Sequence, residues 1–219
     1  MKSVTLTSED ISKEFNRRVI FANISFSLSR GDSMAITGKN GAGKSTLVKI
    51  LCGLLSPTKG TVSCSVEGCA IPISDVHRHL GLVSPYINMY DEFTGSENLR
   101  VIRRIRTLKP GAAEDAEALL QRFGIYDRRN DEVRTYSSGM KQRLKYATAL
   151  LHRPKILLLD EPTANLDDEG VATVRQVMRE QIESGILIIA TNDTEDLGFA
   201  ERRCDLNRLN SVSSPDRRG

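Results

Sequence analysis

One stretch of the chain places glycines, a lysine and hydroxyl side chains at the spacing of a phosphate-binding loop. It reads Gly38, Lys39, Asn40, Gly41, Ala42, Gly43, Lys44, Ser45 and Thr46. Glycines let the backbone wrap closely around an anion, so that successive N–H groups point at it. Lys44 adds a mobile positive charge, and the Ser45 hydroxyl can bind the magnesium ion that bridges the outer phosphates. An apolar run precedes the loop at residues 34–37 and a helix-forming run continues it at 46–51, so we predict that the chain binds a nucleoside triphosphate with Mg²⁺.

A second motif is an apolar run that ends in two adjacent carboxylates. Residues 155–159 read as a buried parallel strand, and Asp160 and Glu161 follow them. Because ligands collect at the carboxyl ends of parallel strands, Asp160 is predicted to hold magnesium, directly or through water. Glu161 is predicted to polarise a water molecule for in-line attack on the terminal phosphorus. For this stretch alone, an acidic turn after a core strand is the alternative.

A third motif lies shortly before the acidic strand. Residues 136–143 combine Ser137, Ser138 and Gly139 with Met140, and a helix is predicted over 141–151. Either serine can cap that helix, while its free N–H groups and its dipole attract negative charge. The motif therefore predicts an anion site, although serine caps are common and this pattern is weak when it stands alone.

In this order, the three motifs resemble the nucleotide-binding subunit of ATP-binding cassette (ABC) transporters, and the resemblance covers nearly the whole chain. It implies that residues 38–46 are the Walker A loop, residues 136–140 the signature, and Asp160 with Glu161 the Walker B pair. Residues 165–167 look like the D-loop, which implies that Asp167 lies at the nucleotide. Phe15 falls where the family places an aromatic residue that stacks on adenine, and a phenylalanine buried at a strand edge is the alternative.

The fold class implied is α/β, with a RecA-like phosphate-loop core, an antiparallel β subdomain and an inserted helical subdomain. We expect a single ABC ATPase domain over residues 1–219. The core and β arm are assigned to 1–80 and 137–210, and the helical subdomain to 81–136. The tail, 211–219, is rich in serine, proline and arginine and is expected to be disordered.

The resemblance also implies the reaction and the partners. Family members hydrolyse ATP to ADP and phosphate in a head-to-tail dimer, in which each ATP lies between the Walker A loop of one subunit and the signature of the other. The expected partners are therefore a second ATPase subunit, identical or related, and a separate transmembrane permease. ATP and Mg²⁺ are the expected cofactors.

The chain departs from the family pattern at two positions that face the reaction. Where the family has a glutamine that contacts magnesium and water, this chain offers Pro85 or Tyr86. Where the family has a histidine that contacts the terminal phosphate, it has Asn192, which donates a hydrogen bond but cannot become charged. Losing a charge-capable contact in the transition state lowers the rate by roughly tenfold to a thousandfold. An ATP-gated dimerising module with little hydrolysis is therefore an alternative function.

Composition narrows the remaining choices. A net charge of +3 is too small to indicate nucleic-acid binding by itself, although a soluble ABC ATPase acting on ribosomes or DNA is a further alternative. The polar, acidic N-terminus is unlike a secretory signal, and no apolar stretch reaches the length of a membrane span. We therefore expect a cytoplasmic protein, peripheral on the inner face of the membrane through its permease.

Overall fold

The computed structural model describes residues 3–106 and 115–207, which form two β-sheets and the helices packed on them. The strands are β1 (Val4–Phe15), β2 (Arg18–Ser29), β3 (Ser33–Thr37), β4 (Lys59–Val66), β5 (Cys69–Ile71), β6 (Leu80–Val83), β7 (Ile156–Asp160), β8 (Ile186–Ala190) and β9 (Arg202–Asp205). The α-helices are α1 (Lys44–Leu51), α2 (Gly95–Ile105), α3 (Ala116–Arg122), α4 (Ser138–Leu150), α5 (Asp168–Ser184) and α6 (Thr194–Leu197). Three short 3₁₀ turns lie at Ile73–Arg78, Tyr126–Arg128 and Val133–Thr135.

A parallel sheet with the strand order β6-β7-β8-β3-β9 forms the centre of the molecule. Every residue of β7 and β8 is buried, and alternate side chains enter two different hydrophobic clusters. In β7, for example, Leu158 packs on the α1 side and Leu159 on the side of α4 and α5. A strand covered on both faces has no polar face, which explains the continuous apolar runs in the sequence.

An antiparallel sheet with the order β2-β1-β4-β5 forms the predicted β arm. Asn16 and Arg17 join β1 to β2 in left-handed conformations, with φ of 48° and 63°, as a tight hairpin turn requires. Phe21 of this sheet belongs to the same buried cluster as Leu47 of α1. The arm is therefore packed against the helix that follows the phosphate loop.

The helical insert begins later than its predicted start at residue 81. Gly81 pairs with Leu157 and Val83 with Leu159, so these residues form an edge strand of the central sheet. The helices follow this strand. Thr94 is the N-cap of α2 and forms a capping box with Glu97. In it, the Thr94 N–H donates to the Glu97 carboxylate at 2.9 Å, and the Glu97 N–H donates to the Thr94 hydroxyl at 3.1 Å. A strand of four residues is too short for its sequence pattern to reveal which sheet it joins.

The end of α2 is fastened to the central sheet through His152, which follows α4. The Arg106 guanidinium lies 2.9 Å from Nε2 of His152 and donates to the His77 carbonyl at 2.6 Å. Nε2 of His152 also lies 3.1 Å from the Leu80 carbonyl of β6, so the imidazole sits between the guanidinium and the edge strand of the sheet. Burial and the adjacent Arg106 charge lower the pKa of His152 to about 3, which keeps the ring neutral.

One strand of the central sheet was not predicted from the sequence. Strand β9, which pairs with β3 at the edge of the sheet, consists of Arg202–Asp205, which are mostly charged and therefore lack the apolar run of a buried strand. The tail 211–219, expected to be disordered, lies outside the described ranges.

Candidate active site

The phosphate loop joins β3 to α1 in a conformation that depends on its glycines. Gly38, Gly41 and Gly43 have φ of 152°, 81° and 103°, values that L side chains rarely adopt. A Cβ on Gly43 would also lie 2.5 Å from Cγ2 of Ile20 in the β arm. Glycine is thus required at position 43 both by the backbone angle and by the close approach of β2.

The N-terminus of α1 offers unsatisfied donors to an anion. The first helical hydrogen bond runs from the Leu47 N–H to the Gly43 carbonyl at 2.9 Å, so the amides of Lys44, Ser45 and Thr46 have no helical acceptor. No side chain caps this end, and the first turn contains no acidic residue. The positive end of the helix dipole is therefore available, and the loop fits a bound phosphate.

Lys44 and Asn192 meet at the first glycine of the loop. Lys44 is 7% exposed and its Nζ donates to the Gly38 carbonyl at 2.8 Å. The Oδ1 atom of Asn192, just beyond β8, lies 3.5 Å from the Gly38 backbone nitrogen. Asn207, which was not among the predicted site residues, accepts from the Lys39 N–H at 3.1 Å. Side chains beyond β8 and β9 therefore reach the loop that follows β3.

Asp160 and Ser45, the two predicted magnesium ligands, converge on a third side chain. Asp160 ends β7, is 1% exposed, and accepts a hydrogen bond of 2.5 Å from the Tyr86 hydroxyl on Oδ2. Burial raises the pKa of the Tyr86 phenol, and the Ser45 hydroxyl partly opposes that rise. A carboxylate and a hydroxyl are oxygen ligands of the kind that Mg²⁺ takes, with the remaining positions filled by phosphate and water. The residues present therefore fit a magnesium ion bound together with a nucleotide.

No other metal site is indicated within residues 3–106 and 115–207. There, no group of three or more histidine, cysteine, aspartate or glutamate side chains is arranged to hold a metal ion.

Tyr86 occupies the position for which the sequence left Pro85 and Tyr86 as alternatives. Burial and the hydrogen bond to Asp160 raise the pKa of the Tyr86 phenol. The ring is held by Lys49, whose Nζ lies 4.0 Å from its centroid. Tyrosine is thus the residue that reaches the Asp160 carboxylate, although no local sequence signal pairs positions 86 and 160.

Glu161 has an environment unlike that of its neighbour Asp160. Its backbone is left-handed, with φ of 51°, and its N–H donates to the Ala190 carbonyl at 2.9 Å. Burial is the main cause that raises the pKa of Glu161, and the charge of Lys44 opposes it. A half-buried carboxylate with a raised pKa is a better proton acceptor than an ordinary surface glutamate.

Two contacts fasten the segment that follows Glu161. The Tyr146 hydroxyl donates to the Pro162 carbonyl, and the Thr163 hydroxyl donates to Oδ2 of Asp196, each at 2.8 Å. Asp196 is fully buried, and its Oδ1 lies 3.8 Å from an Arg175 nitrogen. These contacts were not predicted from the sequence, because the residues that form them come from separate stretches of the chain.

Phe15 lies at the end of β1 with 44% of its surface exposed. Nζ of Lys13 sits 4.7 Å from the centroid of its ring. The nearby Phe21 is instead fully buried in the core. Phe15 is therefore not buried at a strand edge, and its ring is accessible from solvent.

The signature motif forms the first turn of α4. Ser137 is the N-cap, and its Oγ accepts from the Met140 N–H at 3.2 Å. The helix starts at Ser138, three residues before the predicted start at 141, because the motif itself supplies the first turn. A Cβ on Gly139 would lie 2.9 Å from the Asn165 carbonyl, so glycine lets the predicted D-loop approach closely.

Asp167 and Arg143 connect this turn to its surroundings. The Asp167 carboxylate caps α5 through the Gly170 N–H at 2.9 Å and accepts from Arg143 at 2.5 Å; these two donors lower its pKa. Arg143 also donates to the Phe123 carbonyl at 2.8 Å, next to Gly124. One guanidinium therefore joins the helical insert, the signature helix and the start of α5.

The predicted site residues fall into two groups. The phosphate loop, Lys44, Asp160, Glu161 and Asn192 gather at the carboxyl ends of the central strands. The signature residues and Asp167 instead line a separate cavity of about 490 Å³, to which no residue of the phosphate loop contributes. Its lining is Gly124, Ile125, Ser137, Ser138, Gly139, Met140, Arg143, Asn165, Asp167 and Glu169.

Comparison with known proteins agrees with this geometry. The sequence profile of the ABC transporter family matches residues 21–164. The arginine transport ATP-binding protein ArtM of Bacillus subtilis is 34% identical over 202 residues, which cover 90% of this chain and 83% of ArtM. The linearmycin resistance ATP-binding protein LnrL of the same species is 31% identical over 188 residues, covering 85% of this chain and 60% of LnrL.

A solved structure has the same fold. It is the dimeric post-hydrolysis state of the ATP-binding cassette MJ0796 bound to ADP and Pi, with a TM-score of 0.78 and 22% identity. The match covers 91% of this chain and 93% of that one, and at this identity it supports the fold alone.

The fold and the site define a P-loop nucleotide hydrolase with a signature helix. This chain belongs to the ABC transporter family, as an ATP-binding subunit with ATPase function. The fold class expected from the sequence is thereby confirmed. Among the residues that the structure describes, none of the helices combines the length and apolarity of a membrane span.

Proposed function

We propose that two copies of this chain, or this chain and a related one, bind two ATP molecules between them and hydrolyse them to drive a separate membrane permease. The observation that carries the proposal is the division of the site residues into two groups. One group surrounds the phosphate loop, and the other lines a cavity without any residue of that loop. A head-to-tail dimer brings the second group of one chain to the nucleotide of the other.

In this proposal, residues 38–46 surround the phosphates of ATP. The free amides at the start of α1 and the Lys44 ammonium bind phosphate oxygens, while the exposed ring of Phe15 stacks on adenine. Ser45 and Asp160 hold Mg²⁺, which supplies positive charge against the outer phosphates when it is bound.

Glu161 is the proposed general base. It accepts a proton from the water that attacks the terminal phosphorus, while the bond between that phosphorus and the bridging oxygen of ADP breaks. Lys44 and Asn192, both within reach of Gly38, are proposed to contact the phosphoryl group as it transfers. The products are ADP and inorganic phosphate.

The second copy completes the site. Ser137, Ser138, Gly139 and Met140 present the N-terminus of α4, which has no acidic residue in its first turn, to the terminal phosphate. Asp167 reaches the interface beside them. MJ0796, which shares this fold, is dimeric in its post-hydrolysis state with ADP and Pi, and we propose a dimer for this chain as well.

The proposed permease contact lies on the helical insert. Tyr90 and Phe93 are 48% and 39% exposed, and their ring centroids are 5.4 Å apart. Arg100, Arg103 and Arg104 follow on α2. Exposed aromatic rings suit an apolar helix of a membrane protein, and the arginines suit anionic headgroups at its cytoplasmic face. With this contact, the proposed location of the chain is the cytoplasmic side of the membrane. No nucleic-acid partner is proposed.

The test compares Glu161→Gln with the parent protein. We expect steady-state phosphate release to fall by about 100-fold or more, because the general base is lost. ATP-dependent dimers, measured by light scattering, should persist. Glu183→Gln, at the far end of α5, is the matched control and should hydrolyse ATP like the parent. If the parent dimerises with ATP but releases no phosphate, the ATP-gated module is the correct function.

A further inference from the structure

Tyr86 contacts one of the two side chains that are proposed to hold magnesium. Its hydroxyl donates to Oδ2 of Asp160 at 2.5 Å. A phenol has a single proton to donate, and here that proton is directed to the carboxylate of Asp160.

The position of the phenol is fixed from several directions. Lys49 of α1 holds the ring, and it lies one helical turn after Ser45, on the same face of that helix. The turn that carries Tyr86 is held by Lys145 of α4, which donates to the Ser84 carbonyl at 3.2 Å. Tyr86 is therefore held between α1 and the end of β7.

We propose that Tyr86 is a positioning residue of the metal site: its hydroxyl occupies one oxygen of Asp160 and so leaves the other oxygen to face the ion or its water ligand. Tyr86 thus orients the Asp160 carboxylate without binding the ion itself. This inference rests on the proposed function, because it takes Ser45 and Asp160 as the ligands.

The test measures metal affinity rather than turnover. Tyr86→Phe keeps the ring over Lys49 and removes only the hydroxyl, and the residue is 43% exposed, so the variant should fold. Mn²⁺ titrations of the full chain with ADP, followed by electron paramagnetic resonance, should show about 10- to 100-fold weaker metal binding. The affinity for ADP in EDTA, and the melting temperature in EDTA, should match the parent.

Tyr90→Phe is the matched control, since it removes a tyrosine hydroxyl four residues later that does not contact the site; its Mn²⁺ affinity should equal that of the parent. The inference is overturned if Tyr86→Phe binds Mn²⁺ within twofold of the parent. It is also overturned if the variant loses ADP affinity in EDTA, since Tyr86 would then support the phosphate loop as a whole. A parent protein that binds no ADP in EDTA would instead refute the proposed nucleotide site.

Discussion

At the scale of single residues, the two adjacent carboxylates of the acidic pair have different environments. Asp160 is buried at the end of a strand and hydrogen-bonded by a phenol. Glu161 leaves the strand with a left-handed backbone and is half-buried near the Lys44 charge. The proposed metal ligand and the proposed proton acceptor can therefore follow each other directly in the sequence.

Phe15 gives the residue-scale prediction for nucleotide binding. Phe15→Ala removes the exposed ring at the tip of the β arm, and we expect the affinity for ATP to fall about tenfold or more, because stacking on a base is worth about 1–3 kcal/mol. Isothermal titration calorimetry measures this change. Val19→Ala, which trims another exposed apolar side chain of the same hairpin, is the control and should bind ATP like the parent. Equal affinities for the two variants would contradict the stacking role.

The residues that could be predicted from the sequence are those whose function is encoded locally. The phosphate loop is one contiguous stretch of sequence. Its backbone angles require glycine, so the residue types alone indicate its conformation. The contact of Tyr86 with Asp160 spans 74 positions, and the contact of Thr163 with Asp196 spans 33. Such pairs depend on strand order, which one sequence does not specify.

At the scale of elements, the strand order explains how distant motifs reach one site. Strands β6, β7, β8 and β3 are neighbours, and the chain leaving each carries Tyr86, Glu161, Asn192 and Gly38 respectively. The buried strands were predictable from their apolar runs. Edge strands β6 and β9 were less predictable, because β6 is short and β9 consists mostly of charged residues.

The fastening of α2 to the central sheet predicts a dependence of stability on pH. His152 has a pKa of about 3 when folded, below its ordinary value of 6.5, so the unfolded state binds more protons between these values. The free energy of unfolding should therefore decrease as the pH falls from 6.5 toward 3, by up to about 1.4 kcal/mol per pH unit. Urea denaturation at several pH values measures it.

His152→Gln should remove this part of the pH dependence, because glutamine does not titrate. His77→Gln is the control, since its exposed side chain is changed while its carbonyl still accepts from Arg106. A His152→Gln profile parallel to that of the parent would show that the buried imidazole is not the group responsible.

At the scale of the whole molecule, the separation of the two site groups leads to the proposal that a single chain holds two half-sites. Lys44→Ala removes the lysine that is proposed to bind phosphate in the phosphate-loop half-site. Gly139→Asp places a carboxylate in the signature half-site, where that half-site is proposed to contact phosphate. Each variant alone should be inactive, because every site in its dimers contains the defect.

Equal mixtures of the two variants should recover about a quarter of the parent activity, because half of the dimers are mixed and each mixed dimer has one intact site of two. Phosphate release during titration of one variant into the other measures the recovery. If the mixture stays inactive while light scattering shows mixed dimers, the head-to-tail arrangement is contradicted.

The contact between Arg143 and the helical insert also constrains how this sequence can change over evolution. Gly124 has φ of 64°, and a Cβ there would lie 2.7 Å from Nη1 of Arg143. A side chain at 124 would need a backbone conformation that L residues rarely adopt, and it would displace the end of Arg143 and so disturb the contact with Asp167. Among descendants of this chain, glycine at 124 should therefore be retained wherever arginine is retained at 143.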